Sequence, residues 1–309
     1  MMTPFRTGLP VDTIPNVTML DADRLPLIAK MRSWLGMINW LCMGTRPDLS
    51  TIFSLLASHT CKPSPGHVDA VKHLGRYIKS TCELGLLFSS RRNAILESYV
   101  HFPMDSTDLL SNGQVAPTVT GFCDANWGPQ DASMPSPSQH LRQVSQEETR
   151  SICGHVLTMG GAPVLWKCHR EKRGSRSSCK AEVKATDECT KSVQMFWHIL
   201  GEMGLINLLQ STTIYNDNAG AVTWSNSTST KGMRHVNIRE NCRQAAIHCN
   251  EISVIHIVGA ANPSDLFTKE FKSDAIFRML QGLLLFYPSV IQSNAIARLA
   301  GGCQEFSEE

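Results

Sequence analysis

Val119-Thr120-Gly121-Phe122-Cys123-Asp124-Ala125-Asn126-Trp127-Gly128 is the stretch that decides the fold. Its first five residues are β-prone and run into a turn signalled by Asn126 and Gly128. The pattern predicts a short strand, Val119 to Cys123, with Asp124 where it ends. A lone Asp in that place is first of all a turn or capping carboxylate. Three later carboxylates, Glu182, Asp217 and Asp265, change the reading. Each also sits at an element boundary, or on a face where a charge is not expected.

Downstream, Gln130 to Thr149 is rich in Ser, Gln and Pro, has no period, and reads as a surface insertion. Ser151 to Met159 and Pro163 to Cys168 then read as two strands of a hairpin turning at Gly160-Gly161. Cys179 to Met203 is the longest predicted helix. Its apolar stripe is Cys189, Val193, Phe196, Leu200 and Met203. Thr212 to Asn216 is a strand, followed by Asp217-Asn218 and a short helix, Ala219 to Asn226. Val236 to His248 is predicted helical, Ile252 to Val258 alternates like a strand, and Asn262-Pro263-Ser264-Asp265 opens a last helical region. A hairpin followed by strand and helix alternation implies a mixed sheet with helices packed on its faces.

Upstream, Leu27 to Met43 carries Ile28, Met31, Leu35, Ile38 and Cys42 at helical spacing. A second helix is predicted from Asp48-Leu49-Ser50 through His59. A third, Gly66 to Ser80, has Val68, Val71, Leu74 and Ile78 inside and Lys72, His73, Arg76 and Lys79 outside. Leu84 to Phe88 reads as a short strand. The chain thus divides into a poorly ordered lead-in (1–26), a helical unit (27–90), a linker (91–117), a mixed-sheet domain (118–272, with the insertion at 130–149) and a C-terminal extension (273–309).

With 309 residues, 42% of them apolar and 18% charged, the chain is long enough and apolar enough to bury a real core. A formal net charge of +2 does not by itself call for an anionic partner. The 11 cysteines include no C-x-x-C pair, which argues for scattered reduced thiols and against a zinc or disulfide scaffold. The most apolar stretch, Met279 to Ile291, is too short to span a bilayer. The expectation is an intracellular protein, cytoplasmic and/or nuclear, that does not engage a membrane.

Seven residues above Cys189 on the long helix stands Glu182, on the face that is apolar lower down. A glutamate there is paired, bound to a metal, at the core rim, or a favourable acid in a frayed first turn. Asp217 and Asp265 each precede or open a helix, where capping is the default role. If the strands before Asp124 and Asp217 are parallel neighbours, their ends bring two Asp together. Four carboxylates gathered at that edge would repel unless cations neutralise them. An oxygen-only set favours Mg²⁺ or Mn²⁺, and two ions about 4 Å apart can activate a water and support a leaving phosphodiester oxygen.

Six segments carry a resemblance. They are Gly121 to Gly128, Gly160 to Lys167, Ser177-Ser178-Cys179-Lys180-Ala181-Glu182, Ile214 to Ala221, Arg234-His235-Val236-Asn237-Ile238-Arg239, and Asp265-Leu266-Phe267-Thr268-Lys269. In this order they resemble the ribonuclease H domain at the C-terminal end of copia-type retrotransposon polyproteins. Trp34-Leu35-Gly36 through Ser50, with Gly75 to Thr81, is similar to the segment after the polymerase palm of the same polyproteins. The resemblance covers roughly residues 27 to 272.

The resemblance implies a ribonuclease H-like fold, a five-stranded mixed sheet flanked by helices. It implies that Asp124, Glu182, Asp217 and Asp265 are the acidic ligands of two Mg²⁺ (or Mn²⁺) ions, and that the substrate is an RNA–DNA hybrid. His235 matches a recurrent His of the family. Lys167, Arg170, Lys172, Arg173 and Arg176 leave the hairpin as a basic run suited to a phosphate backbone, and Asn218 and His235 complete the expected contacts. The alternative for the basic run is a solvated loop tip. The palm's paired Asp motif is absent, so polymerase activity by this chain alone is not expected. Lys180 stands where the family usually has a second Glu, and Asn237 where an Asp is common. The function expected is metal-dependent cleavage of the RNA strand of a hybrid. The alternative is an inactive retrotransposon remnant that keeps the fold and at most binds nucleic acid. The rest of a polyprotein is the other expected partner.

Overall fold

The structure is a computed structural model that describes residues 3–5, 11, 14, 20–88, 119–127, 150–159, 162–172, 175, 177–205, 211–227, 244–271 and 273–287. The sheet is built by β1 (Val119–Asn126), β2 (Ile152–Met159), β3 (Ala162–Arg170), β4 (Thr212–Asn216) and β5 (Ile252–His256). Its strand order is β3-β2-β1-β4-β5. β1 to β3 form an antiparallel meander, whereas β1, β4 and β5 are parallel. This is the five-stranded mixed sheet that the sequence led us to expect.

The strand bounds show where pairing overrides turn signals. β1 does not end at Cys123. Its pairing with β4 stops at Cys123↔Asn216, but its pairing with β2 continues to Asn126↔Ile152. Asp124 is therefore inside a strand, two residues before its end, and beyond the last rung shared with β4. Leu84 to Phe88, expected as a strand, supplies only an isolated bridge, Gly85↔Phe286. The hairpin turn at Gly160-Gly161, the linker, the insertion at 130–149 and most of the helix expected at Val236–His248 lie outside the described residues, although 244–248 is helical.

Each face of the sheet has its own cover. One helix, α4 (Ser178–Glu202), crosses the first face. It is begun by Ser177, whose side chain accepts from the Lys180 backbone N–H. Ala181, Ala185, Cys189 and Val193 of α4 pack there on Cys123, Cys153, Leu157 and Ile214. The expected stripe runs on through Phe196 and Leu200, but Met203 is 65% exposed, at the cap where the helix has ended.

The second face is covered by helices from both ends of the sequence: α1 (Asp21–Gly44), α2 (Ser50–Ser58), α3 (Pro65–Ser80) and α6 (Asp274–Leu284). The short α5 (Ala219–Asn226) lies between β4 and β5 in sequence. Met31, Leu35, Ile38 and Cys42 of α1 and Val68, Val71, Leu74 and Tyr77 of α3 share one core with Phe122, Ile152, Val156 and Tyr215 of the sheet. Tyr77, rather than Ile78, is the fully buried residue near the end of α3. Phe5, Val11 and Ile14, in the segment expected to be a loose lead-in, are buried in this same core. Phe5 meets Phe271 and Phe277 at ring separations of 6.3 and 6.1 Å. Isolated apolar residues of this kind leave no periodic trace in a sequence.

Between β5 and α6 the chain makes two 3₁₀ turns, Gly259–Ala261 and Pro263–Phe267. The second is wedged between α2 and β2. Thr51 Oγ1 of α2 donates to the Leu266 carbonyl at 2.6 Å. On the other side, a Cβ added at Gly154 would lie 2.4 Å from Phe267 Cβ and 2.8 Å from Phe267 O. Only the absence of a side chain allows this approach. Gly154→Ala is expected to lower stability by about 1–3 kcal/mol, the usual range for overpacking, read from the urea midpoint. A midpoint unchanged within error would show that the turn yields without strain.

Candidate active site

Asp124, Glu182 and Asp217 converge at the edge where β1 and β4 diverge. Each brings one carboxylate oxygen to within 4.8 Å of the other two. The register explains the pair of aspartates. β1 and β4 run parallel with Cys123 opposite Asn216, so the next residue of each is an Asp. Glu182 arrives from α4, as its fifth residue and just past the first turn, and is 6% exposed.

The capping roles that these acids could have filled belong to their neighbours. Asn218 caps α5, its side chain accepting from the Ala221 N–H at 3.0 Å. Asn262 caps the turn that carries Asp265, accepting from the Ser264 N–H at 3.2 Å. Freed of capping, the carboxylates face one another. Asn216 Nδ2 donates to Glu182 Oε2 at 3.1 Å, and its own Oδ1 accepts from the Asn218 N–H at 2.7 Å. Thr268 Oγ1 donates to Asp124 Oδ2. The His256 ring nitrogen lies 3.0 Å from the Asp217 carbonyl.

Asp265 joins through a lysine. Lys269 Nζ is 2.7 Å from Asp265 Oδ1 and 3.6 Å from Asp124 Oδ1. Neither Lys269 nor Thr268 was singled out on sequence. The spacing of four between Asp265 and Lys269 signals their pairing, but nothing local links either Lys269 or Thr268 to Asp124.

Burial sets the electrostatics. It raises the Asp124 carboxyl above its ordinary range, against the Lys269 ammonium and the Thr268 hydroxyl, with Asp217 adding to the rise. Burial, then Asp124, pushes Glu182 up to about 9. Burial, then Asp124, pushes Asp265 to about 7, with Lys269 opposing. Lys269 opposes the rise at Asp124 and Asp265, and at Glu182 the Asn216 hydrogen bond does so. The donor set is all oxygen, hard and anionic, which fits Mg²⁺ or Mn²⁺.

A pH dependence follows in the metal-free protein. Glu182 has a folded pKa of about 9 against an ordinary 4.5, so between these values the native state holds a proton the unfolded chain has lost. Its contribution to stability is full below 4.5 and is lost as pH rises through 9. In chelator, the melting temperature is expected to fall across this window, and Glu182→Gln to flatten the fall. An identical slope in both proteins would remove Glu182 as its source.

The expected nucleic-acid contacts are placed unevenly. The registers Asn126↔Ile152 and Ile152↔Arg170 bring the end of β3 to the sheet edge that holds Asp124. Lys167 lies back on β3 and pairs with Glu188 of α4 at 3.2 Å. Lys172 is exposed just past the end of β3. Past β3, Lys184 Nζ and Ser175 Oγ both donate to Glu171 Oε2, at 2.6 and 2.9 Å. Trp127 Nε1 donates to the Ser175 carbonyl at 2.7 Å. Asn218 is beside Asp217, with its side-chain oxygen engaged in capping. Arg173, Arg176 and His235 lie outside the described residues.

Strand order, flanking helices and the clustered acids together define a ribonuclease H-like α/β fold. The chain is similar to the Retrovirus-related Pol polyprotein from transposon RE2 of Arabidopsis thaliana, at 23% identity over 87% of this chain. It is similar to that of transposon RE1 of the same plant at 22% identity over 89% of this chain. It spans 16% of the length of each of these relatives. The likeness to copia-type retrotransposon polyproteins thus runs through most of the chain, and no family model matches it. Among solved structures, LC11-RNase H1, isolated from compost, is 13% identical, covers 49% of this chain and 92% of its own, and gives a TM-score of 0.32. Among the described residues, no helix is long and apolar enough to cross a membrane.

Proposed function

We propose that this chain is a metal-dependent ribonuclease H that hydrolyses the RNA strand of RNA–DNA hybrids, and that it is part of a copia-type retrotransposon polyprotein. The observation that carries the reading is the triad of Asp124, Glu182 and Asp217, supplied by β1, α4 and β4, with its oxygens within 4.8 Å. So close a set of acids at a buried edge either keeps its protons or takes a cation.

Asp124, Glu182 and Asp217, with Asp265 beside them, would hold Mg²⁺ or Mn²⁺. A divalent cation held by these residues would lower the pKa of water and would offset negative charge on a leaving 3′-oxygen. The protein's own part is positioning. Asn216 fixes one oxygen of Glu182, Thr268 fixes one of Asp124, and the β1–β4 register sets the two aspartates side by side. The basic run that begins on β3 would suit the phosphate backbone of a duplex, and the hybrid would be distinguished through its 2′-hydroxyls and shape.

The test is cleavage of an end-labelled RNA–DNA hybrid by the purified chain, with Mg²⁺, with Mn²⁺ and with chelator, beside duplex DNA. Metal-dependent loss of the RNA strand in the hybrid, with the DNA strand and duplex DNA left whole, is expected. A cooperatively folded protein that cleaves nothing under either metal would overturn the reading and leave a fold without chemistry.

A further inference from the structure

The acidic cluster has two unequal halves. In the first, Asp124, Glu182 and Asp217 face one another, and among the described residues no ion pair reaches Glu182 or Asp217. In the second, Asp124 Oδ1 and Asp265 Oδ1 share one cation of the protein's own, the ammonium of Lys269. Asp124 belongs to both halves, with Oδ1 toward Lys269 and Oδ2 receiving the Thr268 hydroxyl.

We propose that Lys269 holds the position of a second cation. Its ammonium stands between Asp124 and Asp265, so the protein takes one divalent ion readily, in the triad, and a second only by displacing Lys269. This rests on the metal-dependent reading above and deepens it.

The surroundings allow the exchange. The backbone of Lys269 is tied down, since its N–H donates to the Asp265 carbonyl at 3.0 Å and the Thr268 N–H to the same carbonyl at 3.2 Å. The side chain, by contrast, is 38% exposed and hangs on a flexible four-carbon stem. It can therefore turn to solvent without moving the turn. A phosphate arriving at this edge offers the ammonium an anionic partner to replace the carboxylates it leaves. The second divalent ion would then bind more tightly when nucleic acid is present than when it is absent.

The experiment is Mn²⁺ titration of the intact chain without nucleic acid, followed by calorimetry and by the electron paramagnetic resonance signal of free Mn²⁺. Wild type is expected to bind one ion and then, more weakly, a second. Lys269→Gln is expected to tighten the second ion about tenfold, the lower end of what a hydrogen bond between charged groups contributes, and to leave the first within about threefold. Lys269→Arg, which keeps the charge, is expected to keep the second ion weak. A melting curve confirms that each variant is folded. Two ions of equal affinity in wild type, or a second ion indifferent to Lys269→Gln, would overturn the proposal while leaving the triad reading intact. No ion bound at any concentration would overturn both.

Discussion

Asp124→Asn is expected to reduce metal-dependent cleavage of the hybrid by about a thousandfold or more while the protein still melts cooperatively. The size follows from what a divalent ion contributes, several kcal/mol of charge stabilisation, at about 1.4 kcal/mol per decade of rate. Asp124 is the carboxylate common to both halves of the site, so its charge is the one whose loss touches every cation position. Stability moves in a different direction. The Asp124 carboxyl is 2% exposed and its charge is resisted by burial, so a neutral amide of the same shape relieves a strain while giving up the Lys269 contact. Asn still offers an oxygen to Thr268. The melting temperature in chelator should therefore stay within a few degrees, and the rise that Mg²⁺ gives wild type should disappear. Loss of cooperative melting along with cleavage would make Asp124 a folding residue and remove the argument for its chemistry.

The largest effect on stability is expected outside the acidic cluster, at Asp48. This carboxylate is 1% exposed and accepts from Arg46 Nε and Nη2, each at 2.9 Å, from the Tyr77 hydroxyl at 2.5 Å and from Gln281 Nε2 at 2.9 Å. Arg46 also donates to the Thr81 carbonyl at 3.0 Å and lies over the Tyr77 ring. Asp48→Ala leaves a buried guanidinium without its counter-charge and the Tyr77 hydroxyl without its acceptor, while Gln281 Nε2 keeps its bond to the Tyr77 oxygen at 2.5 Å. Such a break costs about 3–5 kcal/mol, on the order of 10 °C in melting temperature for a chain of this size. The double variant Arg46→Met, Asp48→Leu should recover part of that loss, because it removes both charges. A single variant that melts within 2–3 °C of wild type, roughly 1 kcal/mol, would show that water or a rearranged Arg46 satisfies the site.

Much of this was legible in the sequence, and what was missed shares a cause. β4 and α5 were read to the residue, because a β-prone run, Asp217-Asn218 and a helical run follow one another without ambiguity. The α4 stripe placed Glu182 on the inner face by spacing alone, and the structure puts it there. The end of β1 was misplaced because it is decided by β2, whose pairing outlasts that of β4. The strand expected at Leu84 to Phe88 dwindles to one bridge because its partner, Phe286, stands some 200 residues later. Lys269 was visible as a neighbour of Asp265, whereas its contact with Asp124 spans the whole sheet domain in sequence. Local pattern reports local partners; whatever is settled by a distant segment has to be seen in three dimensions.

The shared core beneath the second face of the sheet has a practical bearing on how such a chain can be trimmed or shuffled. A cut at residue 118 looks natural, since it falls just before β1 and after a stretch without pattern. It would strip the cover from Phe122, Ile152, Val156 and Tyr215. It would also remove Thr51, whose hydroxyl holds the Leu266 carbonyl in the turn that carries Asp265. The acids lie between residues 124 and 265, but the smallest portable piece is larger. A gene rearrangement that carries this acidic cluster to a new context has to bring the helices from both ends along with the sheet.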